Sequence, residues 1–238
     1  MRFLPAGDTA VVVEFGDRVD RALSDEVLRL ARRLRAAAPP GVVEVVPTFR
    51  SLLVHYDPLV TSGRNVIDAI RWGIEAPGGR VGPRRRWTIP ACYAPQFALD
   101  LVEVGERTGL GAEEVVTRHV QTPFHVYMIG FSPGHPYLGD LPEELSLPRR
   151  TDPRLRVPVG SVAIASTLSV IHPTENPSGW HVIGATPICL FDVQWEQPSL
   201  LAPGDTVRFT PIGVPEFEAI KAAVAAGEYQ PVSEEIAP

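Results

Sequence analysis

The stretch VVEVVPTFRSLLVHYD, Val42 to Asp57, decides the architecture of the first third of the chain. It holds two runs rich in Val, Leu and aromatic residues, a composition that suits pleated, half-buried strands. Thr48–Arg50 separate them, a spacing that allows a tight connection. Pro47 cannot donate to a ladder, so it marks a sheet edge or a strand end. Just upstream, DRALSDEVLRLARRLRAAA (Asp20 to Ala38) places Leu23, Val27, Leu30, Ala31 and Leu34 on one helical face. The PPG at Pro39 to Gly41 stops that helix. Further upstream, DTAVVVEFG (Asp8 to Gly16) reads as a buried strand. Downstream, RNVIDAIRWGIEA (Arg64 to Ala76) returns to helical spacing through Val66, Ile67, Ile70 and Ile74, and WTIPACY reads as another strand.

The order is strand, helix, strand, strand, helix, strand. This predicts a split βαβ, ferredoxin-like α+β domain with two helices on one face of an antiparallel sheet. The Gly/Pro/Arg-rich PGGRVGPRRR (Pro77 to Arg86) places a boundary near Gly82–Arg86, giving domains 1–84 and 85–238. The strand after it could belong to either side. Beyond it, ALDLVEVGERTGLGAEEVVTRHV (Ala98 to Val120) reads as two short helices, with Asp100 and Glu103 fitting a capping box on the first. HVYMIGF, GSVAIAS, SVIHP, WHVIG, ICLFDV and TVRFTPI follow as short strands punctuated by Gly and Pro, which predicts a closed or partly closed β-barrel. PEFEAIKAAVAA (Pro215 to Ala226) is a last helix with an early Pro.

The bulk composition narrows the function. The 238 residues are 45% hydrophobic and 21% charged, enough for a sizeable core. A net charge of −6 argues against nucleic-acid binding. Lys221 is the only lysine, so most lysine-centred mechanisms are excluded by scarcity. Cys92 and Cys189 sit apart among apolar residues and read as buried free thiols. MRFLPAGDTAVVV shows no secretory signal and no 18-residue apolar run occurs, so a cytoplasmic location away from membranes is expected.

Reactive motifs are few. There is no phosphate loop, no dinucleotide fingerprint and no nucleophile elbow. The six histidines form no metal-binding pattern, so no metal site is expected. PRRTDPRLRVPVG (Pro148 to Gly160) concentrates Arg149, Arg150, Arg154 and Arg156 on a proline-stiffened segment. It reads either as an anion pocket or partner surface, or as a solvated loop. His119 and His125 flank VQTPF, and a histidine at the end of a short helix reads as a C-terminal cap ahead of a general base. Trp180 and His181 follow a Gly-permitted turn, and Trp180 belongs either to the core or to a pocket wall. GFSPGHPYLG (Gly130 to Gly139) is rich in turn residues and aromatics but poor in reactive groups. It is expected to form a rigid wall.

Taken together, VYMIGFSPGHPYLGDL, LPRRTDPRLRVPVGSVAIA, GWHVIGATP and LLAPGDTVRFTPI resemble the family of 5-oxoprolinase B subunits, also called KipI-like or allophanate hydrolase subunit 1. GDTAVVVEFG and GVVEVVPTFRSLLVHYDP match it too, so the resemblance covers nearly the whole chain in order. It implies that the second domain is a cyclophilin-like β-barrel. It further implies a non-autonomous subunit of an ATP-dependent 5-oxoprolinase, an amide hydrolase that opens 5-oxoproline to glutamate. The implied partners are the A and the KipA-like C subunits of 5-oxoprolinase. ATP is implied at the level of the complex, with Mg as a candidate companion. ATP would phosphorylate the amide oxygen and so activate the lactam carbon. Two alternatives come with the resemblance: a KipI-like inhibitor of a histidine kinase, and half of a urea carboxylase or allophanate-type carboxyltransferase domain.

The resemblance also nominates residues. Arg149, Arg154, Ser161 and His181 are candidates for binding substrate or another small carboxylate anion. Phe131, Pro133, Gly134, Tyr137 and Trp180 are candidates for a groove or subunit interface, with Arg149 and Arg154 near its rim. No catalytic residue is assigned. The chain departs from the family pattern at several positions. Leu168 stands for Gln, Ser169 for Thr, Val170 for Gly, His172 for Tyr, Ser178 for Gly and Ala185 for Arg. The lost amide and guanidinium would be partners for an anionic ligand.

Overall fold

The computed structural model describes residues 1–75 and 84–236. Most of the Gly/Pro/Arg-rich segment, and with it the Gly82 side of the expected boundary, lies outside the described residues. The chain divides into two compact units, one ending at Arg84 and one running from Arg85 to Ile236.

The first unit is built from β1 (Arg2–Pro5), β2 (Ala10–Glu14), α1 (Arg21–Ala37), β3 (Val42–Pro47), β4 (Ser51–Tyr56) and α2 (Gly63–Glu75). Its sheet has the order β1-β2-β4-β3 and is antiparallel throughout. The β3–β4 hairpin closes through Thr48, whose N–H donates to Ser51 O at 2.9 Å. Pro47 ends β3, an edge strand. Asp20 caps α1, its carboxylate accepting from the N–H groups of Ala22 and Leu23. Val27, Leu30, Ala31 and Leu34 of α1 and Val66 and Ile70 of α2 share one core with Val11, Val13, Leu52 and Val54 of the sheet. The strand after α2 is not the sheet's fourth member. That place is taken by β1, whose four residues are too few to show a strand period in the sequence.

The second unit comprises β5 (Arg84–Ala91), α3 (Leu101–Thr108), α4 (Ala112–Gln121), β6 (Phe124–Ile129), β7 (Pro136–Gly139), β8 (Arg154–Val157), β9 (Ser161–Ala165), β10 (Leu168–Ile171), β11 (Asn176–Ser178), β12 (His181–Ala185), β13 (Thr206–Pro211), α5 (Val214–Ala225) and β14 (Val232–Ile236). Eight strands form one sheet in the order β12-β9-β10-β7-β6-β13-β5-β14, and β8 pairs with β11 separately. Of the closed or partly closed barrel expected, the fully closed form is not found among the described residues. β14 takes the outer edge of β5, so β12 meets only the residue after β5, through a bridge between Cys92 and Ala185 with N–O distances of 2.8 and 2.9 Å. Phe124, Ile89, Leu138, Ile164, Ile183 and Phe209 fill the core, joined by Val104 of α3 and Val115 of α4. Asp205 pins the start of β13 to β5, accepting from Trp87 Nε1 and Arg85 N, each at 2.9 Å. Among the described residues no helix is long and apolar enough to cross a membrane. Both cysteines are free, Cys92 buried and Cys189 partly so.

Candidate functional site

The turn between β6 and β7 carries the GFSPGHPYLG stretch. It is held by Gly130 N–H to His135 O at 3.0 Å and His135 N–H to Ser132 O at 3.1 Å. Gly134 sits at φ 72°, and a Cβ there would lie 2.6 Å from Phe191 Cβ, so both backbone and packing demand glycine. Phe131 adopts φ 71° without being glycine and leaves its ring 68% exposed. A positive φ is uncommon for a residue with a Cβ, and the exposed ring gains little from packing.

This turn forms one wall of a cleft of about 100 Å³. Phe131, His135 and Tyr137 face Arg149, His172 and Trp180 across it. The rings interlock edge to face: His135 lies 5.4 Å from Phe131, 5.2 Å from Tyr137 and 5.2 Å from His172, and Tyr137 lies 6.4 Å from Trp180. The Arg149 guanidinium sits 5.4 Å above the Trp180 ring, a cation–π contact that holds the charge at the mouth. The cleft therefore combines one cation, aromatic walls and two imidazoles.

Both imidazoles are neutral near pH 7. Burial lowers the His135 pKa to about 4, helped by the neighbouring His172. Burial also lowers that of His172, although its bond to Asn176 opposes the shift. His135 Nδ1 and His172 Nε2 are buried without a hydrogen-bond partner among the described residues, and so is Ser132 Oγ of the turn. Buried polar atoms are rarely left unpaired, so two such nitrogens on residues that line one cleft are notable. Burial raises the Tyr137 pKa, against the pull of Arg149.

The residues nominated from the sequence do not all come together. Phe131, Tyr137, Trp180 and Arg149 come together in the cleft. Gly134 and Pro133 belong to the turn that shapes it. Arg154 points elsewhere: it forks onto Asp100, with Nη1 to Oδ2 at 2.7 Å and Nη2 to Oδ1 at 2.6 Å. Arg150 joins at 2.8 Å and Val182 N–H at 2.7 Å, so this carboxylate organises a structural cluster. The expected capping box is absent, since Asp100 makes no side-chain cap bond. Ser161 lines a separate cavity of about 390 Å³ with Pro158, Thr186, Phe217 and Lys221. His181 is fully buried and donates from Nε2 to Pro148 O at 3.0 Å.

His135 and His172 do not stand out in the sequence. The signals available are the histidine inside GFSPGHPYLG and the departure at position 172 from the pattern that the resemblance implies. His119 is no C-terminal cap. It is fully buried, its Nδ1 3.0 Å from Tyr93 Oη and its Nε2 3.1 Å from Ser169 Oγ, and burial lowers its pKa to about 3. Burial likewise raises the pKa of Tyr93. No cluster of three or more His, Cys, Asp or Glu side chains suited to a metal ion occurs among the described residues.

This mixed α/β architecture is that of a carboxyltransferase-type domain. The family model described as carboxyltransferase domain, subdomain C and D, matches residues 1–201. The B subunit of 5-oxoprolinase from Escherichia coli O157:H7 is 39% identical over 207 residues, covering 86% of this chain and 93% of that protein. The chain thus belongs to the family of 5-oxoprolinase B subunits. The crystal structure of TTHA0988 superimposes with a TM-score of 0.78 at 35% identity, covering 87% of this chain. This chain spans 40% of the TTHA0988 chain it matches. The urea amidolyase of K. lactis shares the fold, with a TM-score of 0.81 at 19% identity, over 98% of this chain and 16% of that one.

Proposed function

We propose that this chain is the B subunit of a cytoplasmic 5-oxoprolinase-type complex that opens 5-oxoproline to glutamate with ATP, together with the A and the KipA-like C subunits. Membership of the B-subunit family along most of the chain carries this reading. We read residues 1–84 as a split βαβ-like domain in which β1 supplies the fourth strand. Residues 85–238 are read as a cyclophilin-like domain.

The cleft suits one part of the task. Arg149 offers a guanidinium for a small carboxylate, and the aromatic walls suit the flat faces of a five-membered lactam. Unlike Arg150 and Arg154, it is not tied to a carboxylate among the described residues. The cleft does not fit ATP: its volume of about 100 Å³ is well below that of a nucleotide pocket, roughly 300 Å³ or more. Activation of the amide oxygen by ATP therefore falls outside this cleft, whose residues bind and orient.

The test is co-purification with the partner subunits, followed by 5-oxoproline-dependent ATP hydrolysis. Turnover that requires this chain is expected. Turnover no greater than that of the same mixture lacking the chain overturns the proposal.

A further inference from the structure

We propose that His172 determines the ligand specificity of the cleft: its bare Nε2 accepts a hydrogen bond from an N–H donor on a small carboxylate whose anionic group is held by Arg149. The proposal rests on the reading of the cleft as the substrate site and goes beyond it by assigning the ligand's donor.

The tautomer follows from a chain of hydrogen bonds. Asn176 Nδ2 donates to Thr174 O at 3.1 Å, which fixes the amide with Oδ1 facing the ring. His172 Nδ1 lies 3.0 Å from that Oδ1. An amide oxygen only accepts, so Nδ1 carries the proton and Nε2 carries a lone pair. The residue is 1% exposed, and Nε2 has no partner among the described residues although it belongs to a residue lining the cleft. An acceptor stripped of water and left unpaired is filled most favourably by a ligand N–H or O–H. This histidine, held in one tautomer, can only accept at the cleft while neutral, and burial keeps it neutral. A site built around one unpaired polar atom rejects an analogue that lacks the complementary group. A lactam N–H in the same small molecule as a carboxylate meets both demands.

The experiment is calorimetric titration of the full chain with L-5-oxoproline and with its lactone analogue, 5-oxotetrahydrofuran-2-carboxylate, in which oxygen replaces N–H. The unaltered chain is expected to bind the lactam at least tenfold tighter than the lactone. His172→Phe should bind both equally, and His172→Gln, which keeps an acceptor, should recover part of the preference. Arg149→Ala should weaken both ligands alike. Amide spectra of each variant report whether it remains folded. Equal affinity of the unaltered chain for the two ligands, binding of neither, or a preference that survives in His172→Phe overturns the proposal. The complex assay separates this failure from failure of the wider reading. Unchanged kcat/KM in a complex carrying His172→Phe defeats the assignment of His172 while leaving the chain's role in the complex intact.

Discussion

Arg154 and Asp100 face each other fork to fork, with N–O separations of 2.6 and 2.7 Å, and the carboxylate is 1% exposed. Removing the carboxylate would strand the Arg154 guanidinium and the Val182 N–H and leave Arg150 its bond to Glu103 at 3.0 Å. Breaking a buried pair costs about 3–5 kcal/mol, and less where the cation is partly solvated, as Arg150 and Arg154 are. Asp100→Ala is expected to lower unfolding stability by about 3 kcal/mol in urea titration. Arg149→Ala, at the cleft mouth, is expected to cost about 1 kcal/mol or less while weakening carboxylate binding.

Phe131 makes the opposite case. Its positive φ costs about 1–2 kcal/mol for a residue with a Cβ. Its exposed ring recovers little of that by burial. Phe131→Gly should match or exceed the unaltered chain in thermal stability, to within about 1 kcal/mol, yet bind ligand or partner more weakly. Alanine at both Phe131 and Tyr137 should likewise weaken binding and leave the fold intact. Unchanged binding in both variants would reduce the turn to a structural role.

The buried histidines set the acid limit of stability. His119, His135 and His172 have folded pKa values below the unfolded value of about 6.5. Above that value neither state binds the proton, and the folded state keeps its full stability. As pH falls through the window between 6.5 and about 4, the unfolded chain takes up protons that the folded chain refuses. Stability should then fall by on the order of 1.4 kcal/mol per pH unit for each histidine held neutral. His119→Phe should flatten this slope by about one proton's worth, as read from urea titrations at several pH values.

Gly160 shows why one block of the sequence tolerates no side chain. Its φ is 81°, and a Cβ would lie 2.2 Å from Thr186 O. Gly160→Ala should lose about 2–4 kcal/mol, from left-handed strain plus the clash, measured by denaturant unfolding.

These residues also show what the sequence could and could not carry. The β3–β4 hairpin and both helices of the first unit are legible because their periods are local. The displacement of β5 into the second sheet is not, since strand pairing depends on which edge lies vacant. The capping role expected of Asp100 fails for a related reason. Arginines 50 and 54 residues away supply stronger, charge-assisted partners than a local N–H. In the cleft, the aromatic turn, Arg149 and Trp180 can be named from sequence. The His135–His172 pair cannot, because nothing local announces that two separate segments will bring their rings to 5.2 Å.

The place of β1 has a consequence for the order in which the protein is made. All four strands of the first sheet and both of its helices lie between Arg2 and Glu75. Had the strand after α2 completed that sheet, the unit would have had to wait for it. Instead the nascent chain holds a complete hydrophobic core once Glu75 has cleared the ribosome. At about 5–20 residues per second, the first unit has seconds in which to fold before β6 to β14 have been synthesised.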